Sequence, residues 1–301
     1  MPLPLVYHPH YVTPLPDGHR FPMPKFGILY RLLLEEGVAQ PGQFFAPEIA
    51  SPELLSRVHE PEYVRAFCEG SLPKQAVRRI GLPWSEGLVL RTCTAVGGTL
   101  LTARLALKFG LACNTAGGTH HAFPGFGAGF CIFNDLAVAA QTLFLEGEAR
   151  RILIVDLDVH QGDGTAWFFR DNPAIFTFSV HAGNNFPFRK QNSDFDIALP
   201  DSTGTAVYLE TLADMLPQLL DRFAPDLVLY DAGVDVHRED LLGRFELDDA
   251  GIEARDALVI AECRRRGVPV ACVIGGGYDR DHLVLARRHS ILHRVASRFA
   301  V

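Results

Sequence analysis

Four short stretches of this sequence carry side chains that could do chemistry together. In Asp156-Leu157-Asp158-Val159-His160, two carboxylates and an imidazole alternate with apolar residues. Alternate side chains of an extended segment share a face, so a carboxylate and an imidazole two residues apart can converge on one cation. A third ligand must come from another element, and Asp235, just past a later apolar run, is the candidate. Three protein ligands leave a coordination position for water or substrate, as in catalytic zinc sites. Two carboxylates and one imidazole form a harder set than zinc usually has, and suit Mn²⁺ or Fe²⁺ as well. The competing reading is that Asp158 and His160 only satisfy turn amides at a strand end.

The second stretch, Gly117-Gly118-Thr119-His120-His121-Ala122, sets two imidazoles side by side in a glycine-rich loop. Histidine titrates near neutral pH, so such a pair suits proton transfer, with Asp156 and Asp163 available to hold one nitrogen of each ring. The third, Pro124-Gly125-Phe126-Gly127-Ala128-Gly129-Phe130, could bring backbone and aromatic rings close to a ligand. In the fourth, Gly275-Gly276-Gly277-Tyr278, a phenol on a flexible turn could donate to a developing oxyanion. Singly, each of these reads as an ordinary solvated loop. Together they specify metal-assisted hydrolysis: a Lewis acid, a histidine base and acid, and an oxyanion donor.

Elements of fitting length surround these loops. The runs 151–155, 175–180, 226–230 and 268–274 are nearly continuous in apolar residues, the pattern of parallel strands buried on both faces. Helical spacing marks 95–110, 136–145, 208–223 and 252–266, and the Pro-rich stretch 14–25 reads as loop. Strands alternating with helices indicate an open α/β sheet, in which ligands bind beyond the carboxyl ends of the strands. All four strand runs are followed by reactive or glycine-rich sequence, so four strand ends converge on one rim. The 301 residues are 48% apolar and 21% charged, enough to bury a sizeable core, which excludes a disordered or fibrous chain. With 28 basic against 35 acidic residues, a formal charge of −7 and no long basic stripe, nucleic acid is not expected as a partner. No signal peptide or membrane-length apolar run is evident, and the six cysteines form no Cys-x-x-Cys pair, so a reduced, cytoplasmic protein is expected.

These motifs, with Gly129-Phe130-Cys131-Ile132-Phe133-Asn134-Asp135, Asp156 to Thr165 and Ala232-Gly233-Val234-Asp235, resemble the histone deacetylase superfamily in order along nearly the whole chain. Phe21-Pro22-Met23-Pro24-Lys25 and Gly81-Leu82-Pro83-Trp84-Ser85 are similar to class IV members and their bacterial relatives. The resemblance implies one catalytic domain over 1–301 with an arginase/deacetylase-like three-layer α/β fold and a central, mostly parallel sheet of about eight strands. It implies one Zn²⁺ per chain on Asp158, His160 and Asp235, with His121 as general base and then acid, paired with Asp163. His120, paired with Asp156, would be its electrostatic partner, and Tyr278 would polarise the amide carbonyl. The reaction would be hydrolysis of an acyl-lysine amide in a protein or peptide, with Gly129, Phe130 and one of Phe186 or Phe188 lining the lysine channel. The resemblance also suggests K⁺ near Asp156 and Ser179, with carbonyls of Asp158 and His160, and a second K⁺ on carbonyls of Phe169, Asn172 and Ile175.

Two departures bear on substrate. Gly81 stands where relatives acting on peptides often carry a rim aspartate, which shifts binding energy to the acyl chain and sets longer fatty acyl groups slightly above acetyl. Leu242 stands where polyamine-selective relatives carry an acidic gatekeeper, which disfavours small acylated amines, although Glu239 and Asp240 lie close by. Two other classes compete. An arginase-like ureohydrolase needs a second set of carboxylates for two Mn²⁺, and Asp235-Val236-His237 does not offer the paired aspartates. A silent acyl-binding module should have lost a ligand, a histidine or the tyrosine, and none is lost.

Overall fold

A computed structural model describes residues 2–300. Its centre is an eight-stranded sheet: β1 (Leu5–Val6), β2 (Phe44–Phe45), β3 (Leu111–Asn114), β4 (Ile152–Asp156), β5 (Ile175–Ala182), β6 (Phe195–Leu199), β7 (Leu227–Asp231) and β8 (Val270–Val273). The order across the sheet is β2-β1-β3-β8-β7-β4-β5-β6, and every pairing is parallel. All strand carboxyl ends therefore open on one edge, as the four apolar runs required.

The alternation of side chains divides the core in two. Ile152, Ile154, Leu227 and Leu229 pack on one face against α6 (Asp135–Leu145) and the C-terminal half of α5 (Glu86–Phe109). Leu153, Val155, Val228 and Tyr230 face the other way, onto α8 (Thr205–Phe223), α9 (Asp249–Arg265) and α10 (His282–Phe299). Helix, sheet, helix is the three-layer arrangement expected from the sequence. The remaining helices are α1 (Lys25–Glu35), α2 (Pro52–Leu55), α3 (Pro61–Cys68), α4 (Lys74–Ile80) and α7 (Asp163–Phe169). Among the described residues no helix is long and apolar enough to cross a membrane, and all six cysteines are free.

Two sequence expectations are corrected. Helix α5 begins at Glu86 rather than Ala95, with the Ser85 hydroxyl accepting from the Leu88 amide at 3.0 Å. Its first turns hide Arg91, Thr92 and Thr94 among apolar neighbours, which breaks the periodicity a sequence reading relies on. Strand β4 ends at Asp156, so Asp156, Asp158 and His160 do not share one strand face.

Behind the histidine loop, His59 is buried, its Nδ1–H donating to the Phe123 carbonyl (3.0 Å) while Nε2 accepts the Asn134 amide (2.9 Å). Burial pushes its pKa down to about 4, against the two carbonyl contacts that raise it. A histidine whose folded pKa lies below its unfolded value stabilises the fold above the unfolded value and loses that contribution as pH falls. The window here runs from about 6.5 down to about 4. Between pH 7 and 5, in chelator, wild type is expected to lose roughly 2 kcal/mol more unfolding free energy than His59→Gln. Urea titrations at the two pH values check this, and equal losses would exclude His59 as the proton acceptor.

Candidate active site

Beyond β4 the chain coils. The Asp158 amide donates to Asp156 Oδ1 (3.2 Å) and the His160 amide to Asp158 Oδ1 (2.9 Å), two consecutive aspartate turns. The coil sends the two aspartates in different directions. Asp156 turns to His120, while Asp158 and His160 gather with Asp235 from beyond β7. One ligand atom from each of Asp158, His160 and Asp235 lies within 4.8 Å of the others, all buried. His160 Nδ1 is 2.9 Å from Asp158 Oδ1 and 3.2 Å from Asp235 Oδ2. The Gly276 amide donates to Asp158 Oδ2 (2.7 Å) and the Val159 amide to Asp235 Oδ1 (2.9 Å). Asp235 Oδ2 is buried and accepts no hydrogen bond, so this oxygen is left for a cation. Gly276 permits the closure: a Cβ there would stand 2.2 Å from Asp235 Oδ2 and 2.5 Å from Asp158 Oδ2. The donor set fits a divalent metal with a position to spare.

The paired histidines hang from β3. Their loop is pinned by Asp135, whose carboxylate accepts from the Gly118 amide (3.1 Å), the Thr119 amide (2.7 Å) and the Thr119 hydroxyl (2.6 Å). Asn134 Nδ2 reaches the carbonyls of His120 and Ala122. His120 Nδ1 meets Asp156 Oδ2 at 2.8 Å, His121 Nδ1 meets Asp163 Oδ1 at 2.7 Å, and the two Nε2 atoms lie 3.1 Å apart. Burial disfavours a charge on His120, but the Asp156 carboxylate outweighs it and holds the ring well above its ordinary pKa. Burial, then the charge on His120, pushes His121 down to about 4 despite Asp163. Neighbouring rings driven apart in this way are a ready acid and base.

Tyr278 follows β8 and is positioned by Asp240, a residue whose part the sequence did not reveal. Asp240 Oδ2 accepts the Tyr278 amide (2.7 Å), and Oδ1 accepts the amides of Leu242 (2.8 Å) and Gly243 (2.9 Å). Burial, then the charges of Asp235 and Asp158, keep the phenol well above its usual range, so it remains a donor. Tyr278 shares a narrow cavity of about 30 Å³ with His120, His121, Asp158, His160, Gly129 and Phe130. Beside Phe21, Phe26 and Cys131, its lining includes two buried cations to which the sequence alone assigned no role in the site, Lys25 and Arg91. Lys25 Nζ lies 3.3 Å from the Gly277 carbonyl, and burial brings its pKa down to about 8. Arg91 lies over the Phe26 ring at 4.9 Å, has no carboxylate partner among the described residues, and leaves Nε without an acceptor.

The other expected site residues are distributed unequally. Phe186 stands edge-on to His121 with centroids 4.8 Å apart, whereas Phe188 is 86% exposed and only flanks Phe186. Leu242 is half-buried, its carbonyl held by Asn185. Gly81 ends α4, and a Cβ there would press on Phe130 at 3.1 Å. Ser179 pairs with Asp156 in register, and its hydroxyl is engaged with His181 (3.0 Å). The carbonyls of Phe169 and Asn172 accept the amides of Asn172 and Ile175 in consecutive turns. Asp231, unassigned by the sequence reading, forms a second cluster with His120 and Asp156, and both its buried oxygens lack donors.

The histone deacetylase domain model matches residues 19–293. A Picosynechococcus protein of uncharacterised function is 59% identical, over 98% of this chain and 99% of its own. The acetoin utilization protein AcuC of Staphylococcus aureus is 32% identical over 75% of this chain and 64% of its own length. Histone deacetylase 2 of Arabidopsis thaliana is 28% identical over 87% of this chain and 70% of its own. Among solved structures, an HDAC homologue complexed with SAHA superposes with a TM-score of 0.85 at 26% identity, covering 99% of this chain and 84% of the other. The match to the domain model runs through β3 to β8, every strand that carries a residue of the site, and the chain belongs to the histone deacetylase family.

Proposed function

We propose that this chain is a single-domain, metal-dependent hydrolase that removes short acyl groups from lysine side chains. The observation that carries the reading is the pair of Asp-held histidines, meeting Nε2 to Nε2 beside the Asp158–His160–Asp235 cluster and facing Tyr278 across one cavity. A divalent cation on those three ligands, zinc in the first instance, would supply a Lewis acid for the carbonyl and a nucleophilic water near neutral pH. His121, neutral and with Nδ1–H fixed on Asp163, takes the water's proton at Nε2 and returns it to the departing amine. His120, charged against Asp156, keeps the second ring from drifting and stabilises negative charge at the reacting centre. Tyr278 donates its phenolic hydrogen where the carbonyl oxygen gains charge.

The size of the cavity supports a short acyl group. Its volume would hold about two waters, and its lining sets the buried cations Lys25 and Arg91 among the rings of Phe21, Phe26 and Phe130. Each buried methylene gains about 0.8 kcal/mol only in apolar surroundings, and an alkyl chain pressed on two desolvated cations forfeits more than that. On this reading short acyl groups rank above the longer chains favoured by the Gly81 argument. In one peptide context kcat/KM is expected to fall ~10-fold or more from acetyl- to octanoyl-lysine, and further to myristoyl-lysine. A rise with chain length would overturn the short-acyl reading. Small acylated amines rank below lysine peptides, because the acidic groups close to Leu242 in sequence are occupied. Asp240 holds three amides, and Glu239 pairs with Arg288.

A further inference from the structure

Past their last paired residues, Asp156 opposite Asp231, strands β4 and β7 leave the ladder, and the next carbonyls need new donors. One side chain supplies three of them. Arg255, on α9 and with no exposed surface, donates from Nη1 to the carbonyls of Gly233 (2.6 Å) and Leu157 (3.2 Å), and from Nη2 to that of Ala232 (3.3 Å). Its Nε and Nη2 also reach Asp256 Oδ1 at 3.0 and 2.9 Å, an oxygen that accepts the Tyr230 phenol at 2.6 Å.

The gripped carbonyls are adjacent to the metal ligands. Leu157 immediately precedes Asp158, and Gly233 lies two residues before Asp235. The Gly233 backbone is packed directly on the first ligand, since a Cβ there would stand 2.5 Å from Asp158 Oδ2. A planar guanidinium fixes both strand extensions in one plane, which a lysine ammonium, a point donor on a flexible stem, cannot do.

We propose that Arg255 is a positioning residue for the metal centre, holding the Asp158–His160 and Asp235 segments at the separation a cation requires and so setting metal affinity. This rests on the metal-centre reading above. A purely structural clamp would lower Tm equally with and without metal. A positioning clamp also weakens binding and so shrinks the rise in Tm that metal produces.

The test uses metal-stripped full-length protein, with the Zn²⁺ Kd measured by chelator competition and Tm measured with and without Zn²⁺. Arg255→Lys is expected to weaken Zn²⁺ by about 10- to 100-fold, the usual consequence of losing a group that orients metal ligands. Tyr230→Phe keeps the ring and removes only the hydrogen bond to Asp256, and is expected to weaken Zn²⁺ several-fold with its fold intact. A Kd within two-fold of wild type for Arg255→Lys overturns the proposal. If the lysine variant does not fold, the same result for Tyr230→Phe overturns it. Failure of the underlying reading looks different: Asp158→Ala would then bind Zn²⁺ as tightly as wild type.

Discussion

Asp158→Ala is expected to lose metal and hydrolysis together, with the secondary structure retained. Asp158 is fully enclosed and lies against His160, Gly276 and Asp235, so its removal takes one of the three members of the proposed metal cluster. The His160 amide and the Gly276 amide lose their acceptor, a cost of about 1–3 kcal/mol each where water does not replace it. Relief of carboxylate crowding against Asp235, whose pKa is raised by burial and then by Asp158, offsets part of that loss. Far-ultraviolet circular dichroism should therefore match wild type, while metal content by mass spectrometry falls from about one per chain to near zero. Normal metal content in the variant would remove Asp158 from the ligand set.

Tyr278→Phe is expected to lower kcat by roughly 10²–10³ and leave KM within a few-fold of wild type. The hydroxyl matters only where the carbonyl oxygen gains charge, whereas the ring, packed 5.9 Å from Phe130, stays in place. The loop is anchored through the Tyr278 amide on Asp240, which the substitution does not touch. A kcat close to wild type would take Tyr278 out of the mechanism. A rise in KM alone would make it a binding residue.

Much of the site could be read from the chain because it lies in contiguous motifs: the histidine pair, the Asp-x-His segment and the Gly-rich turn before Tyr278 each occupy a few neighbouring residues. The strands β4, β5, β7 and β8 were equally legible, since both faces are largely buried and their runs are nearly continuous in apolar residues. The two-residue strands β1 and β2 are too short for any periodicity, and β6, half-buried at the sheet edge, carries Asp196 within it. The supporting groups were illegible for a different reason. Lys25, Arg91, Asp240 and Arg255 are charged residues of kinds that ordinarily face solvent, and only tertiary packing makes them interior. The coil after Asp156 escaped detection because alternating residues imitate a strand, whereas the aspartate side chains bond to their own backbone two residues on.

The strand order has a consequence for how the protein is made. Strand β8 occupies the slot between β3 and β7, so until residues 270–273 leave the ribosome the strands form two unjoined sets, β1 to β3 and β4 to β7. The histidine loop belongs to the first set, the Asp158, His160 and Asp235 segments to the second, and Tyr278 arrives behind β8 itself. Pairings between strands so distant in sequence form slowly and late. Strand β8 is thus the piece that brings His120 and His121, carried by the first set, to the Asp158, His160 and Asp235 cluster carried by the second.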